Sequence, residues 1–244
     1  WNYGSSNNIF NKKLSYYLLK DEKKLCALNG AAQIYPFIKD KFFENKVLMP
    51  SPTFGEYEKI FKNKTYYNDD GNFDFNTISE KIENSDIIVF VNPNNPTGTF
   101  VNSIKIYELI KKHPNKLFIV DESFIDFSNS ISISDIQGAN LCTNFLIIKS
   151  MSKSHGFPGV RLGYVYSNNI DLIDEIKSSL PVWNFNSIAE YFLEIMLKYR
   201  NEFKISVDKT IQDREGFVQK MKSQNWVFNV FESSADFILV ETNK

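Results

Sequence analysis

The chain has 244 residues, 43% of them hydrophobic, with 28 basic and 29 acidic side chains and a formal net charge of −1. That balance excludes a nucleic-acid surface built on bulk positive charge, and the apolar fraction, with 22 phenylalanines, excludes a disordered chain. Two cysteines, Cys26 and Cys142, exclude a disulfide framework, and with no signal peptide or long apolar span in view the segment is expected to be cytoplasmic, without a membrane partner.

In chain order, Lys24-Leu-Cys-Ala-Leu28 reads as a strand with Cys26 as a small core residue. Gly30, Ala31 and Ala32 then open an apolar-periodic helix over 31–43, and free N–H groups at such a terminus can bind phosphate, although Gly-Ala turns before helices are common. Strands near 46–49 and 64–67 and helices near 54–62 and 75–83 follow. The near-continuous apolar run Asp86-Ile-Ile-Val-Phe-Val91 predicts a strand buried on both faces. It ends in Asn92-Pro-Asn-Asn-Pro-Thr-Gly98, a forced turn in which Asn95, held extended before Pro96, can project its amide as a donor. The same segment also fits a plain strand-to-helix loop. A helix over 102–112 stops at His113 before Pro114.

The strand Lys116-Leu-Phe-Ile-Val-Asp121 ends in a carboxylate, which either caps a turn or pairs with a protonated pyridine nitrogen. A strand near 145–149 leads into Ser150-Met-Ser-Lys-Ser-His-Gly-Phe-Pro-Gly-Val-Arg161. A lysine just past a buried strand, with small hydroxyl neighbours and an arginine eight residues on, suits Schiff-base formation with pyridoxal phosphate (PLP). Lys153 supplies the amine, and Ser150, Ser152 and Arg161 can bind the phosphate dianion. His155 reads as a loop histidine near the mouth of such a site. A strand near 162–167 and a helix near 169–179 complete a large domain over 1–183. From about 184 a smaller domain begins, with long helical character over 187–223, where Ile188, Tyr191, Phe192, Ile195 and Met196 recur at helical spacing, then strands near 226–231 and 236–241. The lysine clusters at 39–46 and 59–64 carry interspersed acids and read as solvated faces. No metal-ligand spacing is present.

Strands and helices alternate, so the fold class is α/β with a mostly parallel sheet, and the marked segments fall at strand carboxyl ends, where open α/β sheets collect ligands. In order and spacing they resemble the fold-type-I PLP enzymes of the class I/II aminotransferase superfamily, in the histidinol-phosphate aminotransferase branch, over nearly the whole chain. Asn-Gly-Ala-Ala-x-x-Tyr at 29–35, Phe124, Ser150, Pro158-Gly159 and Trp183-Asn-Phe-Asn186 look more like threonine-phosphate decarboxylase. The resemblance implies that Lys153 carries the Schiff base and that Asp121 pairs with the pyridine nitrogen. It implies that Asn95 bonds the phenolic oxygen and that Phe54 stacks on the ring. The Ala31 and Ala32 backbone, Ser150, Ser152 and Arg161 would hold the phosphate, Tyr3 would reach it across a homodimer interface, and Asn186 would face the substrate.

Two departures matter. Phe124 stands where most of these aminotransferases have a tyrosine whose hydroxyl bonds the phenolic oxygen. The arginine that usually binds the substrate carboxylate would lie past Lys244, and the expectation is a segment of a longer enzyme. The activity expected is α-decarboxylation of O-phosphoserine or O-phosphothreonine, with phosphate-substrate transamination as the alternative. A third reading, a non-catalytic PLP-fold domain, is disfavoured by intact Lys153, Asp121, Asn95 and Arg161.

Overall fold

The computed structural model describes residues 6–69, 73 and 75–243. In chain order its main elements are α1 (Asn7–Leu18), β1 (Leu25–Leu28), α2 (Ile34–Phe42), β2 (Lys46–Ser51), α3 (Gly55–Ile60), β3 (Asn63–Asn68), α4 (Phe75–Glu83), β4 (Ile87–Val91) and α5 (Ser103–Lys112). They continue with β5 (Leu117–Asp121), β6 (Phe145–Ser150), the single turn α6 (Met151–Ser154), β7 (Gly163–Tyr166), α7 (Ile170–Ser179), α8 (Ser187–Met196), α9 (Arg200–Lys222), β8 (Val227–Val230) and β9 (Val240–Thr242).

Seven strands form one sheet in the order β1-β7-β6-β5-β4-β2-β3. The five from β6 to β3 pair parallel, while β7 runs antiparallel to β6 and β1 antiparallel to β7. The β-branched runs give the reason: every residue of β4 is buried, because its alternate side chains enter two different cores. Val89, Ile119, Leu146 and Ile148 pack with Ile34 and Ile38 of α2 and Ile173 and Ile176 of α7 on one face. Ile88, Phe90, Phe118 and Ile147 pack with Ile78, Ile106 and Ile110 on the other. The register sets Val91 opposite Asp121 and Asp121 opposite Ile148, so β4 and β5 finish level and β6 runs on to Ser150. The chain leaves β2 for β3 on one side and returns to β4 on the other, which puts a topological switch point at those same carboxyl ends.

Three expected elements differ from those observed. The helix expected over 31–43 begins with a 3-10 turn, Ala31–Gln33, and becomes α-helical only at Ile34. The helical stretch over 187–223 is two helices that bury different cores: Ala189 and Leu193 of α8 pack with Phe10 and Leu14 of α1, whereas Val207 and Ile211 of α9 pack with Phe124 and Phe127. The strand expected over 236–241 shrinks to β9, because side chains take the earlier carbonyls. Arg214 Nη1 donates to the Ala235 carbonyl at 2.7 Å, and the Ser233 hydroxyl donates to that of Phe237 at 2.5 Å. Among the described residues, no helix is long and apolar enough to cross a membrane.

Candidate active site

A cavity of about 590 Å³ opens at the carboxyl ends of β2, β4, β5 and β6, and eight of the sequence-marked residues line it: Ala31, Ala32, Phe54, Asn95, Asp121, Ser150, Lys153 and Arg161. Asp121 closes β5 and is 5% exposed. Its Oδ2 accepts from the Tyr57 hydroxyl at 2.9 Å and its Oδ1 from the Ser123 N–H at 3.0 Å. Burial nevertheless raises its pKa, against the opposing pull of those donors and of the Lys153 charge. A carboxylate so placed is short of positive charge, and a protonated ring nitrogen in the cavity would supply it.

Two tyrosines brace this acid. Tyr57 is fully buried, and burial with the adjacent Asp121 charge lifts its phenol pKa, so it stays a neutral donor. Tyr35 meets it edge-on with ring centroids 5.6 Å apart, and Phe54, at the entrance to α3, packs against both. Asn95 is half-buried in the opposite wall, and no described residue hydrogen-bonds its side chain.

The lysine rises from α6, the turn that β6 feeds directly. Lys153 is exposed to the cavity with Nζ 5.8 Å from the centre of the Phe124 ring. Phe124 is itself held edge-on by Phe237 at 5.1 Å. Ser150 donates its N–H to the Ser123 hydroxyl at 3.1 Å. Ser152 is 8% exposed, and its hydroxyl has no partner among the described residues. A buried hydroxyl without a partner is costly, and a phosphate oxygen would satisfy it.

Arg161 adopts a left-handed backbone (φ 60°), which swings its guanidinium over Gly30. A Cβ on Gly30 would lie 2.1 Å from Arg161 Nη2, so only glycine leaves room for this cation above the first turn of Ala31–Gln33. Gly163 of β7 is constrained in the same way, since a Cβ there would come within 2.5 Å of the Ala31 nitrogen. The N–H groups of Ala31 and Ala32 and the Arg161 cation meet in the cavity lining, which suits a dianion. On these observations the residues present fit PLP at both its ends.

Asn186 does not join the cavity. Its Oδ1 accepts from the Ala189 N–H at 2.8 Å to cap α8, and its Nδ2 donates to the Val160 carbonyl at 3.1 Å. From the same motif, Asn184 reaches the site indirectly: its Nδ2 donates at 2.9 Å to Gln33 Oε1, which also takes the Asn29 N–H at 2.8 Å. Ser152 is not among the lining residues, and Tyr3 lies outside the described residues.

His155 sits in the turn that ends α6, a loop histidine as expected from the sequence, and is half-buried there. It stacks on Phe203 at 4.1 Å, its Nδ1 lies 3.0 Å from the Met151 carbonyl, and its Nε2 lies 3.1 Å from the Tyr17 hydroxyl. Burial drives its pKa down to about 4, so it is a neutral brace. Behind it Lys149, 8% exposed, pairs with Asp126 at 2.9 Å. Burial alone would raise the Asp126 pKa, but the Lys149 charge and hydrogen bond bring it below the usual carboxylate value. Sequence reasoning gave no role to Tyr57 or Ser123, and Tyr35 entered only as the end of the motif at 29–35. Each had one faint signal, a hydroxyl within three residues of a position with an expected role.

The family model for aminotransferase class I and II matches residues 5–244. Over 259 residues the chain is 33% identical to L-serine phosphate decarboxylase from Campylobacter jejuni, an alignment that covers 98% of this chain and 65% of that protein. It is 28% identical to histidinol-phosphate aminotransferase from Ruminiclostridium cellulolyticum, covering 93% of this chain and 66% of that one. Among solved structures, the histidinol-phosphate aminotransferase from Clostridium acetobutylicum has a TM-score of 0.84 at 29% identity, over 95% of this chain and 71% of that one. The chain spans about two thirds of the length of the curated relatives it matches.

Proposed function

We propose, from the premise that this chain belongs to the PLP-dependent aminotransferase class I and II family, that it is the larger part of an enzyme acting on a small phosphorylated amino acid. The reaction proposed is α-decarboxylation of O-phosphoserine or O-phosphothreonine to a phosphoamine. The observation that carries the cofactor reading is Asp121, a buried acid whose pKa is raised by burial, in the same cavity as Lys153.

Bound here, the cofactor would act as an electron sink for whichever bond at the substrate α-carbon breaks. The chain's own residues divide the remaining work. Lys153 Nζ would be the attachment point, and its amine would hold or return a proton there. Asp121 keeps the ring nitrogen protonated, because a carboxylate favours the charged form of a cation it contacts. The Asn95 amide would donate to the phenolic oxygen and Phe54 would cover one ring face. The Ala31 and Ala32 N–H groups, Ser150, Ser152 and Arg161 hold the phosphate. In the homodimer we take Tyr3 to reach the partner's cofactor phosphate. Val182, Trp183, Ile188 and Tyr191 are 73%, 66%, 69% and 65% exposed, which supports an interface on this side. Residues 184–244 would begin the second, smaller domain.

The choice of decarboxylation rests on the relative at 33% identity and on Phe124, which offers no hydroxyl to the phenolic oxygen and leaves that oxygen to Asn95. Phosphate-substrate transamination is the second reading, favoured by the relative at 28% identity. The full-length protein, incubated with phosphoserine or phosphothreonine with and without a 2-oxo acid, separates the two. Phosphoamine and CO₂ formed without acceptor support decarboxylation. A 2-oxo product that needs the acceptor, with no CO₂, makes the enzyme an aminotransferase.

A further inference from the structure

Asp69 lies just past the end of β3 and is 2% exposed. A buried carboxylate is stable only if its oxygens are saturated with donors, and among the described residues the donors come from the β4–α5 loop. Asn94 Nδ2 and the Thr97 hydroxyl, at 2.6 Å, donate to Oδ2, and the Thr99 hydroxyl lies 2.6 Å from Oδ1 and 2.7 Å from Oδ2. Among the described residues none of these donors is charged. The acid therefore has no ion-pair partner there, and it holds the loop with three short charge-assisted bonds.

The same residue grips a second loop. The Asp69 N–H donates to the Ser51 carbonyl at 3.0 Å, at the end of β2. Asn94 spends its other amide proton on the Pro52 carbonyl at 2.8 Å and accepts from the Thr53 hydroxyl at 3.0 Å. The β4–α5 loop is closed on itself by Asn94 N–H to Thr99 O at 2.9 Å and Gly98 N–H to Asn94 O at 2.7 Å. Asn95 follows the gripped Asn94 and Phe54 follows the gripped Thr53, and both side chains line the cavity. One carboxylate outside the cavity lining thus sets the wall that carries the ring-facing amide and the wall that carries the ring-facing aromatic.

We infer that Asp69 is a positioning residue which acts through Asn94 to aim Asn95, and with it Phe54, at the ring of the bound cofactor; this rests on the reading that the cavity takes PLP. Two measurements separate that premise from the clamp itself. In the full-length protein without PLP, deuterium uptake over 51–54 and 94–99 is compared between wild type, Asp69→Asn and Thr99→Val. The clamp predicts faster exchange in both segments in both variants, with core strands unchanged, and unchanged exchange overturns it whatever the site binds. In the PLP-loaded protein, the pH midpoint of the visible absorption band is read for Asp69→Asn, Asn95→Ala and the double variant. Asp69→Asn should move the midpoint in the same direction as Asn95→Ala, by about half a pH unit or more, and the double variant should move it no further than Asn95→Ala alone. A midpoint that stays put in folded, loaded Asp69→Asn overturns the inference, as do additive shifts. Wild type that develops no visible band with PLP refutes the cofactor reading and removes the proposed role with it. Thr99→Val keeps the acid, so a failure of Asp69→Asn to fold does not end the test.

Discussion

The Tyr57 hydroxyl donates to Asp121 Oδ2 at 2.9 Å and joins α3 to the carboxyl end of β5. Tyr57 has no other solvent to turn to, because it is fully buried. Its bond to the acid, with that from the Ser123 N–H, favours the acid's ionised form. Tyr57→Phe keeps the volume and removes a bond to a charged group, worth about 1.5–3 kcal/mol. The Asp121 pKa then rises further and its partner nitrogen loses its proton more readily. Turnover is expected to fall about 10–100-fold, with PLP affinity much less affected. Pre-steady-state rates and a PLP titration check this, and an affinity loss as large as the rate loss counts against it.

Lys153 is expected to be the residue that reacts with PLP. The competing lysine at the same strand end, Lys149, is 8% exposed and held by Asp126. Lys153→Ala should abolish the visible band formed with PLP, and borohydride reduction of the wild type should label Lys153. A label recovered on Lys149 or another lysine would sink the assignment.

Ser152→Ala should separate stability from binding. The unpartnered hydroxyl is a burden without cofactor, so the variant without PLP should melt no lower than wild type. With PLP the lost phosphate contact should weaken affinity about tenfold, the equivalent of about 1.4 kcal/mol. A variant that melts lower without PLP yet binds it normally would assign the hydroxyl a structural role.

Gly30→Ala is expected to be far worse than its size suggests. The added Cβ falls where Arg161 Nη2 sits, and the backbone at φ 80° resists any side chain. The arginine must leave its place, and PLP affinity should drop more than in Arg161→Lys. Equal affinity in Gly30→Ala and wild type, measured by fluorescence quenching, would show that Arg161 is not needed there.

Glu122 provides a pH test of the scaffold. It is 1% exposed, with Oε1 bonded to the Ile133 N–H at 2.9 Å, and burial pushes its carboxyl up to about 7 from an ordinary 4.5. A raised pKa means that the folded chain holds this proton more tightly than the unfolded chain. The resulting stability is fully present below pH 4.5 and is lost as pH rises through 7, a difference of about 3 kcal/mol. Glu122→Gln should flatten the dependence of unfolding free energy on pH between 5 and 8. An unchanged slope in urea unfolding at the two pH values would refute the assignment.

The sequence by itself determined the α/β class and the cavity residues at the strand ends. Apolar runs buried on both faces mark parallel strands, and each such strand must release its next residue at the sheet's carboxyl edge. Asp121, Asn95 and Lys153 were legible for that reason. Chain distance hid the rest. Tyr57 meets Asp121 across 64 residues and Asp69 meets Thr99 across 30, and neither pairing has a local signature. Only the strand order, which seats β2 between β3 and β4, brings Asp69 onto the loop of Asn95. Tertiary packing also decided what local pattern left open. His155 is half-buried because Phe203 of α9 stacks on it. The Asn186 side chain turns to its own helix because an N-cap within three residues outcompetes a more distant partner.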